Sequence, residues 1–516
     1  MNGAEVLIET AIEYGIDICF ANPGTTEIPL VSIFDRYPAI RPVLGLFEGV
    51  CTGAADGYAR MTDRPAMTLL HLGPGFANGI ANLHNARRAG VPVVNVIGDH
   101  ASWHRSADPP LAMDIEGLAG PVSAWLRANR SVTTMGKDMA EAISASLFGR
   151  ISTLIVPHDH LISKTDSKGG GRRAFTFDPV DEGSIESARR LFKEKGRVAL
   201  ILGGRGAKGK GLEAAARIKA ATRCDLFTQT FPSCIERGAG LPDVERIPYF
   251  PEPARERLSG YQGVVLAGLQ EPVTFFGYQG IPSTILREEQ QKVFIGMGNE
   301  NVVEALEHLA DEVAGRAGPS DVASVLAEPG RPSLPAGRLT AEKACTVLAA
   351  LQPEGAIIVD EGITSSLAYH PLTRGCPRHN VMGITGGSIG YGMPCAAGAA
   401  LACPERPVIN LQADGSALYT VQALWTQARE GLNVTTLICS NRSYNIVKVE
   451  LARAGIASPG PKALSLADLD HPVIDWPRLA GGFGVPAVSV DTAEDLARHL
   501  SAALLDPGPH LIEMVL

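Results

Sequence analysis

Apolar and small side chains at Val6, Leu7, Thr10, Ala11 and Tyr14 recur at helical spacing and stop at Gly15, which predicts an amphipathic helix. The apolar run 16–20 then predicts a buried strand, closed by the turn Asn22-Pro23-Gly24. The alternation returns with an apolar run at 66–72, a turn at Gly73-Pro74-Gly75, helical spacing to Ala89 and a second apolar run at 91–97. Farther along, 197–202 leads through a glycine-rich turn into a helical stretch at 212–221, and 356–360, 408–412, 434–439 and 510–516 are further strand candidates. Strands without polar alternation, separated by helices, imply parallel sheets covered on both faces. Glycine- and proline-rich breaks at 167–173 and 328–337 divide the chain into thirds. The expected fold is α/β, with three doubly wound parallel-sheet domains at 1–166, 174–327 and 338–516.

Composition narrows the partners. With 516 residues, 45% of them hydrophobic and 20% charged, the chain is globular and large enough for several cores. A net charge of -9 gives no field that would attract phosphate backbones, so nucleic acid is not an expected partner. Glu5, Glu9, Glu13 and Asp17 interrupt the first helix and strand, unlike a signal peptide, and no apolar run approaches a membrane span. Nine scattered cysteines with no C-x-x-C pair fit reduced thiols. A cytoplasmic protein is expected.

The chemistry-bearing residues follow strands. Ala413-Asp414-Gly415-Ser416 comes directly after the 408–412 run, and Ser440-Asn441-Arg442-Ser443 directly after 434–439. Motifs at the carboxyl ends of parallel strands face the crevice where such sheets bind ligands. A hard cation there takes a carboxylate, an amide oxygen and a backbone carbonyl. Asp414 and Asn441 stand 27 positions apart. Upstream, Glu48 precedes a small-residue stretch ending in Gly57-Tyr58-Ala59, and Ile389 sits in the glycine-rich segment 385–394. Alone, each has an ordinary structural reading: a turn, a helix-start acid, a core isoleucine.

Together these motifs resemble the thiamine diphosphate-dependent enzymes, and within them the acetolactate (acetohydroxyacid) synthases and benzoylformate decarboxylases. The resemblance covers nearly the whole chain, in the order pyrimidine-binding, central Rossmann-like and diphosphate-binding domain. It implies that Asp414, Asn441 and the Ser443 carbonyl hold magnesium. Gly415, Ser416 and Tyr444 would meet the diphosphate, and Ile389, with Gly387 and Ser388, would wedge under the bent cofactor. Glu48 would hydrogen-bond the pyrimidine N1' and favour the imino form that removes the C2 proton. Departures are Ala413 in place of the first glycine of Gly-Asp-Gly, and Phe47 where most members have histidine before the glutamate.

On the substrate side, Asn22-Pro23-Gly24-Thr25 and Leu70-His71-Leu72 resemble benzoylformate decarboxylase, which makes Thr25 and His71 catalytic candidates. The histidine that this decarboxylase takes from its middle domain is not matched; Gln279 stands there. His100 and His104 add two imidazoles with either pocket or structural roles. The turn Gly204-Arg205-Gly206-Ala207-Lys208-Gly209 is a literal G-x-G-x-x-G, which leaves room for FAD, although a nucleotide-free packing domain is the plainer reading. No acid supports a dinucleotide, because Asp225 precedes the next apolar run instead of ending it.

The resemblance implies an acetolactate synthase-like decarboxylase or carboligase acting on 2-oxo acids through a C2 carbanion and an enamine. Benzoylformate-type decarboxylation and 2-hydroxyacyl-CoA lysis are alternatives in the same family. A nucleotide-dependent oxidoreductase and a non-catalytic regulatory subunit are alternatives outside it. A homodimer or homotetramer with cofactor sites between subunits is expected, with the C-terminal lid of acetohydroxyacid synthases either absent or replaced by another element.

Overall fold

The computed structural model describes residues 1–167, 176–313, 315 and 318–516. Three α/β layers follow one another along the chain. The first sheet has six strands in the order 41–44, 18–22, 66–71, 93–99, 151–157, 125–128, all parallel. The second has five parallel strands in the order 245–246, 225–228, 198–202, 263–267, 291–295. The third has seven, ordered 487–490, 510–515, 434–440, 408–413, 357–361, 379–383, 235–237. Central strands such as Val93–Asp99 and Val434–Ser440 are buried at every position, as expected when helices cover both faces.

The last strand of the third sheet, Ile235–Arg237, comes from the central span and pairs antiparallel with His379–Gly383. A three-residue run with Glu236 at its centre carries no strand signal, so tertiary pairing alone creates it. The break expected at 167–173 lies outside the described residues from 168 onward, as does the expected start of the central domain at 174.

Two local differences have simple causes. The first strand begins at Ile18, because Gly15 turns left-handed (φ 88°) and the Ile16 amide donates to Ala11 O, closing the helix C-terminus. Gly73-Pro74-Gly75 is not a turn before the helix but part of the first turn of Leu72–Ala89. Proline is tolerated there because its missing N–H has no intrahelical acceptor.

The helices Glu48–Thr62 and Gly392–Ala402 join the first layer to the third. Their backbones approach so closely that a Cβ on Gly57 would overlap the Cys395 carbonyl, and one on Gly398 would overlap the Ala54 carbonyl. Arg60 fastens this contact: fully buried, it forks onto Asp56 at 2.8 and 2.7 Å and donates to Ser233 O (3.0 Å), Gly383 O (2.7 Å) and the Tyr391 hydroxyl (3.1 Å). Asp56 is equally buried.

Arg60→Met should therefore cost about 3–5 kcal/mol, since it strands a buried carboxylate. Asp63→Asn, at a partly exposed pair with Lys208, should cost no more than about 1 kcal/mol. Denaturant unfolding of both variants measures the difference.

Candidate active site

Parallel register explains why distant motifs meet. Ala413 lies opposite Cys439 across adjacent strands, so the loops that leave them put Asp414 beside Arg442. Asp414 is almost fully buried; its Oδ1 accepts from the Gly415 amide at 2.8 Å and its Oδ2 from the Arg442 amide at 2.6 Å. Arg442 takes a left-handed conformation (φ 53°). Asn441 Oδ1 accepts from the Ser443 amide at 3.0 Å. The bridge between Ser443 and Asp468 uses the Tyr444 amide and the Arg442 carbonyl, leaving the Ser443 carbonyl out of that pairing. Burial pushes the Asp414 carboxyl up, against the pull of its amide donors, and Glu513 pushes it the same way. A buried carboxylate, an amide oxygen and a carbonyl outside the local pairing form a donor set that suits a hard cation. The Tyr444 ring packs on Gly415, where a Cβ would collide with it. The Ser416 hydroxyl is engaged with Ala413 O (3.1 Å) and Gln412 Nε2 (2.7 Å).

Glu48 opens its helix, and its Oε2 accepts from Asn78 Nδ2 at 3.0 Å. The Ile389 loop is held beside that helix start. Asn82 Nδ2 donates both to Gly49 O (2.8 Å) and to Gly390 O (3.2 Å). Asn85 donates to Ser388 O at 2.7 Å and accepts from the Ser388 amide at 3.2 Å. Gly387 and Gly390 are left-handed, with φ of 72° and 92°, and Ile389 between them is half-buried. The three asparagines were not singled out from the sequence. Their spacing, 78, 82 and 85, places them along one face of Leu72–Ala89, and that row of amides at helical spacing was the available signal.

On the substrate side, Asn22 pairs with Leu70 across parallel strands, which sets the turn after Asn22 against His71. The contact is made by Thr26 and Glu27 and not by Thr25, which is exposed at the head of the turn. His71 Nδ1 lies 2.8 Å from Glu27 Oε2 and 3.1 Å from Thr26 Oγ1. Glu27 is fully buried and also accepts from the Gly24 amide (2.7 Å) and the Thr26 hydroxyl (2.5 Å). Its hydrogen bond raises the His71 pKa above 6.5, with burial opposing.

The remaining candidates spread out. His100 packs edge-on to His104, ring centroids 5.7 Å apart, and its Nε2 is buried without a partner. Gln279 is exposed, while its neighbour Tyr278 donates to Glu450 Oε1 at 2.9 Å. A cavity of about 740 Å³ runs from Ile389 and Gly387 past Thr364 to the central-span rings Tyr249, Phe250, Phe275 and Phe276. At the glycine-rich central turn, Lys208 bonds Asp63 at 2.8 Å and Arg60 O at 3.1 Å, which makes the turn a junction with the first layer. Asp225 opens its strand and pairs with Arg197 and Tyr261, so the acid of a dinucleotide site is not at the strand's end.

Residues 1–118 match the family model for the N-terminal TPP-binding domain of thiamine pyrophosphate enzymes, and residues 362–514 the model for their C-terminal TPP-binding domain. IlvX of Mycobacterium tuberculosis, to which the name acetolactate synthase large subunit has been provisionally given, is 49% identical over 100% of this chain and 99% of its own. The chain belongs to the thiamine pyrophosphate enzyme family. Benzoylformate decarboxylase of Pseudomonas aeruginosa is 28% identical over 97% of this chain and 96% of its own. The thiamine diphosphate-dependent 4-hydroxybenzoylformate decarboxylase of Rhodococcus jostii RHA1 superposes with a TM-score of 0.87 at 24% identity, covering 100% of this chain and 99% of its own. Thiamine diphosphate is the family's cofactor and magnesium its usual partner metal. No helix among the described residues is long and apolar enough to cross a membrane.

A raised histidine pKa stabilises the fold below the unfolded value near 6.5, and that stability is lost as pH rises through the folded value. The His71 imidazole should titrate above 6.5, and Glu27→Gln should lower its midpoint, both read from imidazole NMR shifts. Equal midpoints in the two proteins would remove Glu27 as the cause.

Proposed function

We propose that this member is a magnesium- and thiamine diphosphate-dependent decarboxylase or carboligase of 2-oxo acids, acetolactate synthase-like in its chemistry. The observation that supports it most is the donor set at two adjacent strand ends, with buried Asp414 bonded to the Arg442 amide and Asn441 Oδ1 to the Ser443 amide. Asp414, Asn441 Oδ1 and the Ser443 carbonyl would ligate magnesium. Gly415, Ser416 and Tyr444 would line the diphosphate end. Ile389, flanked by Gly387 and Ser388, would support the bent cofactor, and Glu48 would meet the pyrimidine.

When bound, thiamine diphosphate supplies an electron sink for the carbon that loses carboxylate. The chain's part is to orient and to move protons. Glu48, with one oxygen on Asn78, leaves the other to accept or share a pyrimidine proton. Glu27 fixes the His71 ring from Nδ1, so that Nε2 is the nitrogen available to substrate. Thr25, exposed on the adjoining turn, would line the same approach.

Apolar side chains flanking the motifs are exposed in a single chain: Leu46 at 44%, Leu418 at 39% and Tyr419 at 53%. We infer from them a homodimer or homotetramer, with cofactor sites between subunits. The domain limits proposed are 1–166, 174–327 and 338–516, with Ile235–Arg237 lent to the third sheet.

A second reading, a benzoylformate-type decarboxylase, is favoured by the aromatic cavity. Phe275 packs on Phe231 (centroids 5.3 Å, 82°) and on Tyr249 (5.1 Å, 34°), giving the cavity a preformed aromatic wall. A volume of about 740 Å³ suits a larger acyl group than the methyl of pyruvate.

Glu48→Gln should keep cofactor affinity within a few-fold and lower turnover by roughly 100-fold or more, the scale of a lost acid-base group. Asp414→Ala should abolish magnesium-dependent cofactor binding measured by calorimetry. Full turnover in Glu48→Gln would sink the mechanism. Carbon dioxide release and condensation products from pyruvate, phenylpyruvate and benzoylformate, followed by mass spectrometry, separate the two readings. Preference for pyruvate supports the synthase, and preference for the aromatic acids supports the decarboxylase.

A further inference from the structure

The strand Ile357–Glu361 ends in a carboxylate that none of the motifs above includes. Glu361 is fully buried, and in parallel register it lies opposite Gln412, two residues before Asp414. Its Oε1 accepts from the Gly390 amide at 2.6 Å; its Oε2 accepts from the Gly392 amide at 2.5 Å and from Gln412 Nε2 at 2.9 Å. Gln412 Nε2 also reaches Ser416 Oγ at 2.7 Å. The carboxylate thus stands between the loop that carries Ile389 and the turn that carries Asp414 and Ser416.

A buried acid is costly unless hydrogen bonds satisfy it. Here backbone amides supply them, so the loop's conformation and the acid's burial depend on each other. Gly390 is held from both sides of its peptide, because its carbonyl accepts from Thr420 Oγ1 at 2.8 Å and from Asn82. Left-handed Gly390 has a Cβ direction already filled by Tyr419, which leaves the loop little room to relax. With Asn85 gripping Ser388, the residue between, Ile389, has its backbone fixed on each flank.

We propose that Glu361 is a positioning residue that locks the Ile389 loop to the strand bearing the diphosphate motif, so that the two ends of the cofactor site keep a fixed separation. It acts through Gly390, Gly392 and Gln412. The proposal rests on the cofactor reading above for its consequence, but the lock itself belongs to the cofactor-free chain.

Glu361→Gln replaces one acceptor oxygen by an amide group that must face a backbone donor. In the cofactor-free protein, hydrogen exchange at the Gly390 and Gly392 amides should quicken by roughly tenfold or more, the scale of a lost charge-assisted bond. Amides of the central strand Val198–Leu202 should exchange as in the wild type. Calorimetric titration with thiamine diphosphate and magnesium should show weaker affinity for the variant. Unchanged exchange at 390 and 392, or equal acceleration in all three sheets, overturns the lock. Should the Gln variant not fold, Glu361→Asp, which keeps the charge but withdraws it by one methylene, is read by the same exchange criterion. If thiamine diphosphate binds neither wild type nor variant, the proposed function fails while the exchange result still decides the role of Glu361.

Discussion

The guanidinium of Arg60 fastens the first layer to the third and to the chain at Ser233. It is out of water altogether, paired with Asp56 on its own helix, and its remaining donors are taken by carbonyls at Ser233 and Gly383 and the hydroxyls of Tyr391 and Thr385. The acceptors beyond Asp56 come from two distant stretches of chain, at 233 and at 383–391. An arginine can serve them together because its planar fork presents five donors at fixed angles. Its burial is tolerable only while all of them stay in place, and this gives the junction its specificity as well as its rigidity.

That junction sets the distance between the first and third layers of one chain, and the Glu48 helix start and the Ile389 loop lie along it. The Gly57 and Gly398 contacts bring Glu48–Thr62 against Gly392–Ala402 at backbone range. The loop before the second helix must then pass close to the start of the first, and Asn82, Asn85 and Glu361 use amide hydrogen bonds to fix its path. A site assembled in this way is preorganised: polar groups are already oriented, and little reorganisation is left to accompany ligand binding. The substrate side repeats the principle on a smaller scale, with buried Glu27 holding His71.

Much of this was legible in the residue order. Strands buried on both faces write themselves as apolar runs, so the α/β class and most strand positions follow from hydrophobic patterning. The Asp414 and Asn441 motifs were legible for a related reason: each follows directly on an apolar run, and adjacent parallel strands bring their carboxyl ends together. Other features were not. Thr25 and Thr26 are chemically equivalent in the sequence, and only the course of the 3-10 turn Thr25–Glu27 places the second one against His71. Glu361 follows an apolar strand, as many acids do, and its partners Gly390 and Gly392 carry no side chain that could have announced them.

The sequence by itself determined the periodicities that make three parallel sheets, the glycines that permit close helix contact, and the acidic and amide residues that follow particular strands. Those are local properties, set by side-chain chemistry and by the two-residue and 3.6-residue repeats of strand and helix. The tertiary structure alone decided which buried polar group meets which: Arg60 with carbonyl and hydroxyl acceptors, Glu27 with His71, Glu361 with the backbone of the Ile389 loop, and the short run at 235–237 with an edge of the third sheet. These pairings join residues far apart along the chain, and their partners are mostly backbone amides and carbonyls, which every residue has and no sequence pattern marks.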